Sequence, residues 1–106
     1  MLPKKKRVTK SVFLSINKEG KTFSTPLFLF SYIKNKPYQY AFVSPKKIFK
    51  TAVLRNKLRR MGYNILRSIP LKSGSGIFFY KKQILITPTP EIKENIIFIL
   101  KKTGIL

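Results

Sequence analysis

Apolar positions recur at two different periods along the chain, and the switches between them divide it into elements. Val12, Phe13 and Ile16 fall on one side of a short helix that Thr9 or Ser11 can cap and Gly20 ends. Residues 22–33 read as strand, with a turn near Thr25 and Pro26 and the core run LFLFSYI. Phe28, Phe30 and Tyr32 share one face of that strand, and Leu27, Leu29, Ser31 and Ile33 share the other. Both faces are largely apolar, which predicts a strand inside the sheet or one covered by helices. KNKP, residues 34–37, predicts a turn, and residues 38–44 predict a second strand, the antiparallel hairpin partner of the first, stopped by Pro45.

The period then changes to that of a helix. Leu54, Leu58, Met61 and Ile65 point one way, in a helix that starts near residues 49–52 and runs to about Ile69, before Pro70. Gly62 costs this helix up to about 1 kcal/mol relative to alanine, so its stability must come from the packed side. KSGSG, residues 72–76, reads as a flexible stretch, residues 77–80 as a strand, and residues 83–87 as an extension of the sheet or a crossing back over it. Thr89 as cap and Pro90 at the first helical position open a last helix to Lys102. Its stripe is Ile92, Ile96, Ile99 and Leu100, and Gly104 is its stop. There is no internal repeat. Helix, two or three strands, helix, strand, helix describes an α+β sandwich with helices packed on a small central sheet. At 106 residues the prediction is one domain over residues 1–106, with residues 1–8 a flexible basic tail.

Charge changes the picture most. Against 23 Lys and Arg stand three acids, Glu19, Glu91 and Glu94, for a net charge of +20. Such a chain repels itself, and a polyanionic partner relieves the repulsion. A membrane surface is the weaker candidate: no apolar run approaches the roughly 18 residues of a span, and no signal-peptide apolar stretch follows MLPKKKRV. The expectation is a cytoplasmic protein with no membrane partner. Absence of cysteine excludes disulfides and thiolate metal sites. Absence of His and Asp as well leaves three glutamates for any acid–base or metal chemistry. Glu91 and Glu94 suit the dipole at a helix start, so no catalytic residue and no protein-held metal is expected.

Eight basic side chains and no acid lie between Ser44 and Arg67. A solubilising face mixes signs and uses Glu–Lys pairs; this one does not. Arg55, Asn56, Arg59, Arg60, Tyr63 and Arg67 are expected on the arc opposite the apolar stripe, with Lys46, Lys47, Lys50 and Lys57 adding charge. Guanidinium forks suit phosphate oxygens, and Asn56 suits a base edge or sugar hydroxyl. RNA is favoured over DNA by the 13% aromatic content, because unpaired bases stack on rings. Phe28, Phe30, Phe42 and Phe78 are expected in the core, and Phe13, Tyr32, Tyr38 and Tyr40 are the candidate stackers.

SPKKIFKTAVLRNKLRR resembles the S-x-K-K-x…A-V-x-R-N-R-x-K-R signature of the protein subunit of bacterial ribonuclease P. KKKRVTKSVFLSINKEGKTF and the closing KKTGIL are similar to that family's two ends, so the likeness spans almost the whole chain. It implies an αβββαβα fold, shared with a small-subunit ribosomal protein domain, with a left-handed βαβ crossover against the usual rule. It implies binding of the catalytic RNA and of the 5′ leader of precursor tRNA, with the reactive Mg²⁺ ions held by the RNA. Arg55, Asn56, Arg59 and Arg60 fall on the family's basic motif, and Lys57 stands where the family usually has Arg, keeping the charge and losing the fork. The likeness further implies a leader cleft between the first helix and the sheet. Phe13 matches its first phenylalanine, Asn17 or Ile16 stands at the second, an aromatic often found on the first strand falls at Ser31 or Tyr32, and Tyr40 is a further candidate contact. A small ribosomal or RNA-chaperone protein, with no role in cleavage, is the alternative.

Overall fold

In the computed structural model, which describes residues 18, 20–33, 39–70 and 74–105, the first predicted strand is two. Lys21–Ser24 (β1) and Phe28–Ile33 (β2) pair antiparallel around Thr25. The Thr25 hydroxyl oxygen accepts from the N–H groups of Leu27 and Phe28, at 3.3 and 3.1 Å, closing a side-chain turn. The same hydroxyl donates to Asn95 Oδ1 at 2.9 Å, which ties the hairpin to the last helix. Phe13, Asn17 and Tyr38, with most of the predicted first helix and the basic tail, lie outside the described residues.

Gln39–Val43 (β3) is not the hairpin partner of β2. Ser75–Tyr80 (β4) lies between them, antiparallel to β2 and parallel to β3, in a four-stranded sheet of order β1-β2-β4-β3. Burial explains the order. β4 is buried at five of its six positions and so needs neighbours on both sides, whereas β3 alternates between buried and half-buried, as an edge strand can. Residues 83–87 do not extend the sheet either: Lys82–Ile86 form a 3₁₀ turn with only Ile84 buried.

The register collects Phe28, Phe30, Tyr32, Tyr40, Phe42, Phe78 and Tyr80 on one face. Phe78 stacks on Phe30 and Phe42 at centroid distances of 4.2 and 4.8 Å and meets the edge of Phe28 at 5.5 Å. Such contacts add about 0.5–1.5 kcal/mol each beyond burial. Ala52–Arg67 (α1), capped by the Thr51 hydroxyl accepting from Leu54 N–H at 3.2 Å, packs on the β3–β4 side. There Tyr63 meets Phe42 edge-on at 5.2 Å. Thr89–Lys102 (α2) packs its predicted stripe, Ile92, Ile96, Ile99 and Leu100, into the same core. It begins one residue earlier than expected, with Pro88 in the cap position. Its end is a Schellman turn, with Ile105 N–H on Leu100 C=O at 3.0 Å and Gly104 N–H on Lys101 C=O at 3.2 Å. That turn needs the positive φ of 80° that Gly104 supplies.

Tyr80 fixes α1 to the sheet: its hydroxyl, buried among the rings, donates to Leu58 C=O at 2.6 Å. Burial pushes this phenol far above the ordinary tyrosine range. The stability it contributes is complete below the unfolded value of about 10 and is lost progressively as pH rises from there toward the higher folded value. The net charge of the whole chain also acts on stability as pH changes, so the informative quantity is a difference between two variants. Urea unfolding at pH 8 to 11 is expected to show the parent's advantage over Tyr80→Phe shrinking above about pH 10. An advantage constant with pH would mean that the phenol is not sheltered.

Candidate nucleic-acid interface

The entry to α1 is built to hold cations outward. After β3, Pro45 C=O accepts from Ile48 and Phe49 N–H at 3.1 and 2.9 Å, folding a tight turn that leaves Lys46 and Lys47 exposed. Phe49 is driven fully into the core against the Tyr80 ring, and Lys50 beside it stays in solvent. Ser44 Oγ donates to Arg55 C=O at 3.3 Å, so the loop is fastened to the first turn of the helix.

Along α1 the buried positions are Leu58, Gly62, Tyr63, Ile65 and Leu66. The packed stripe is therefore rotated from the expected Leu54, Leu58, Met61 and Ile65 toward Gly62 and Leu66, because only a residue without a side chain lets the helix approach Phe42 and Tyr80. Leu54 and Met61 are left half-buried. Tyr63 is corrected outright: expected on the outer arc, it is 5% exposed and fills the core beside Phe42.

The remaining sequence-picked residues surround this core without forming one patch. Arg55 is half-buried, and one of its guanidinium nitrogens donates to Phe49 C=O at 2.8 Å, so part of its fork serves the fold. Arg59 and Asn56 are exposed and bonded to each other, guanidinium to Oδ1, which presents the Asn56 amide N–H groups and the other Arg59 donors together. Arg67 repeats the arrangement with Asn64, at 2.9 Å. Asn64 was not singled out from the sequence, although the shared N-x-x-R spacing of the two pairs is visible there. Lys57, Arg60 and Arg67 are exposed.

Arg55 and Lys57, two residues apart, point about 160° apart around the helix axis. Arg55, Asn56 and Arg59 thus occupy one flank. Lys57 leans over the other, where an open groove of about 440 Å³ is lined by Lys57, Arg60, Met61, Asn64, Ile65 and Thr89.

Two of the candidate cleft residues can be placed. Tyr32 is half-buried at the end of the aromatic face, stacked on Phe30 at 5.3 Å and 6°. Tyr40 was expected as a contact, and the structure corrects this: its ring is 0% exposed, since β3 turns it onto the helix-covered face. The opposite face carries a row in register, Leu29, Phe79 and Val43, that is exposed or half-buried and was missed in the sequence. Consecutive strand residues point to opposite faces, so once Phe78 is assigned to the core its neighbour Phe79 must face the other way.

Among the described residues no group of three His, Cys, Asp or Glu is placed to hold a metal ion, and no helix is long and apolar enough to cross a membrane. Fold and surface together define a small α+β domain whose helix α1 carries exposed basic side chains and no acid. Residues 2–104 match the family model of ribonuclease P, and the chain belongs to that family.

Solved structures agree. The chain is similar to the RNase P protein of Thermotoga maritima, at 27% identity over 91% of this chain and 96% of that one, with a TM-score of 0.77. The Staphylococcus aureus RNase P protein shares the fold at 20% identity, over 94% and 96% of the two chains, with a TM-score of 0.79. A mutant of the latter with defective mRNA degradation activity superposes with a TM-score of 0.84 at 22% identity, over 97% and 92%. A comparison with curated protein sequences gives no match.

Proposed function

We propose that this chain is the protein component of a ribonuclease P ribonucleoprotein, binding the catalytic RNA and precursor tRNA so that the 5′ leader is removed. The observation that carries the reading is the outer side of α1: Asn56, Lys57, Arg59, Arg60 and Arg67 are exposed on a helix with no acid, held rigid by a packed inner side. Preformed guanidinium groups bind phosphate oxygens with less loss of side-chain freedom than loop lysines do. Lys46, Lys47 and Lys50 extend the charge around the helix entry.

The hydrolysis needs Mg²⁺, and this chain's own donors do not fit such a site. Mg²⁺ takes oxygen ligands in an octahedral cage, whereas the chain has three glutamates, of which Glu91 and Glu94 are exposed on α2. In this reading the RNA holds the metal and supplies the chemistry. The protein neutralises backbone charge and positions the leader, for which the Leu29–Phe79–Val43 face offers apolar and aromatic surface.

Leader cleavage by a bacterial ribonuclease P RNA, measured on precursor tRNA at low Mg²⁺ with and without the purified chain, tests this. The chain is expected to accelerate cleavage and to cleave nothing alone. No stimulation at any protein concentration would overturn the proposal.

A further inference from the structure

The groove beneath Lys57 is not explained by backbone binding. Its floor is apolar, formed by half-buried Met61 and the edge of Ile65, and its rim carries the Lys57 ammonium, the Arg60 guanidinium, the Asn64 amide and Thr89 at the start of α2. A duplex lying on α1 would present phosphates and sugars to the cations and leave that floor uncovered. A free small molecule would be poorly enclosed by so open a groove.

The occupant that satisfies every part is a nucleotide that already belongs to a larger bound RNA. Resting on the RNA-binding reading above, we infer that the groove receives one unpaired nucleotide of the partner RNA, its base laid on Met61 and its phosphate held between Lys57 and Arg60. The volume of about 440 Å³ lies within the range that accommodates small ligands and is ample for one nucleotide. The Met61 thioether is polarizable and adapts to the face of a base. Asn64 Oδ1 is already engaged by Arg67 at 2.9 Å, so its amide N–H groups are the ones left to meet acceptors on a base edge. Arg60 points between this flank and the outer face of α1, which makes the groove continuous with the proposed phosphate surface. The helix therefore addresses two different parts of the RNA, backbone along Asn56 and Arg59 and a single splayed base on the opposite flank.

The chain has only two methionines, Met1 and Met61, which permits a direct test. Full-length protein carrying the diazirine analogue of methionine is bound to a bacterial ribonuclease P RNA and irradiated, and the crosslinked nucleotides are mapped. The same RNA sample gives the affinity by filter retention. A crosslink to one unpaired nucleotide, absent from Met61→Leu protein labelled only at Met1, is expected. Met61→Ala is expected to bind roughly two- to tenfold more weakly, while Met61→Leu keeps the floor covered and binds as the parent does. With the complex intact, crosslinks to paired positions, no Met61-dependent crosslink, or unchanged affinity of Met61→Ala overturn the inference alone. No complex at all overturns the RNA-binding reading and the inference with it.

Discussion

Changing Arg59 and Arg60 together to alanine is expected to weaken binding to ribonuclease P RNA by about one to two orders of magnitude at moderate salt. The thermal unfolding midpoint should stay where it is. Both side chains are exposed, and among the described residues neither donates to the backbone of another element. If each neutralises one phosphate, the slope of log affinity against log salt should flatten by roughly 1.4–1.8. The pairing of readouts matters because Arg55 would give a mixed answer. Its bond to Phe49 C=O closes the entry loop, so its removal disturbs the fold as well as the surface. An unchanged salt slope in the Arg59/Arg60 variant would show that this flank is merely solvated.

Gly62→Ala is expected to destabilise the fold by about 3 kcal/mol, lowering the unfolding midpoint by roughly 10–15 °C. Helix propensity alone argues the other way, since alanine is favoured over glycine by up to about 1 kcal/mol in a helix interior. Packing decides the sign. A Cβ at Gly62 would lie 2.5 Å from Phe42 Cδ1 and 2.6 Å from the Tyr80 hydroxyl. Neither neighbour can retreat easily. Phe42 is sandwiched between Phe78 and the Tyr63 edge, and Tyr80 is pinned by its bond to Leu58. Chemical denaturation followed by circular dichroism would check the value; a stabilised variant would mean that α1 lies farther from the sheet than the structure has it.

Local pattern was enough to read the elements of this chain, and pairing was not. The stripe of α2, the placement of Phe28, Phe30, Phe42 and Phe78 in the core, and the extent of α1 follow from periodicity and caps that act within a few residues. The partner of β3 does not, because two strands close in sequence favour a hairpin by default, and only the burial demand of β4 overrides it. The same distinction holds for the interface. Residue type and the missing acids mark α1 as cationic, and the resemblance assigns its motif. The rotation of its buried side depends on Gly62 meeting two rings from other strands, which no helical wheel contains. That rotation takes Tyr63 into the core and sets Lys57 and Arg55 to different tasks. Tyr40 was misplaced for a related reason: aromatic content is visible in a strand, but the face it occupies is set by register with β4.

The position of β4 in the sheet has a consequence for synthesis. As the chain emerges from its N-terminal end, β1, β2, β3 and α1 are all made before residue 75, yet β2 and β3 touch only through a strand that has not yet appeared. A nascent chain of that length carries Phe28, Phe30 and Phe42 with no Phe78 to lie against, so its aromatic surface stays wet and prone to self-association. Assembly of the sheet must then follow release of the last third of the chain, with the bond between Thr25 and Asn95 among the last to close. Until that moment α1, whose stability rests on its packed side, has no finished sheet to pack against, so the helix and the sheet are completed together.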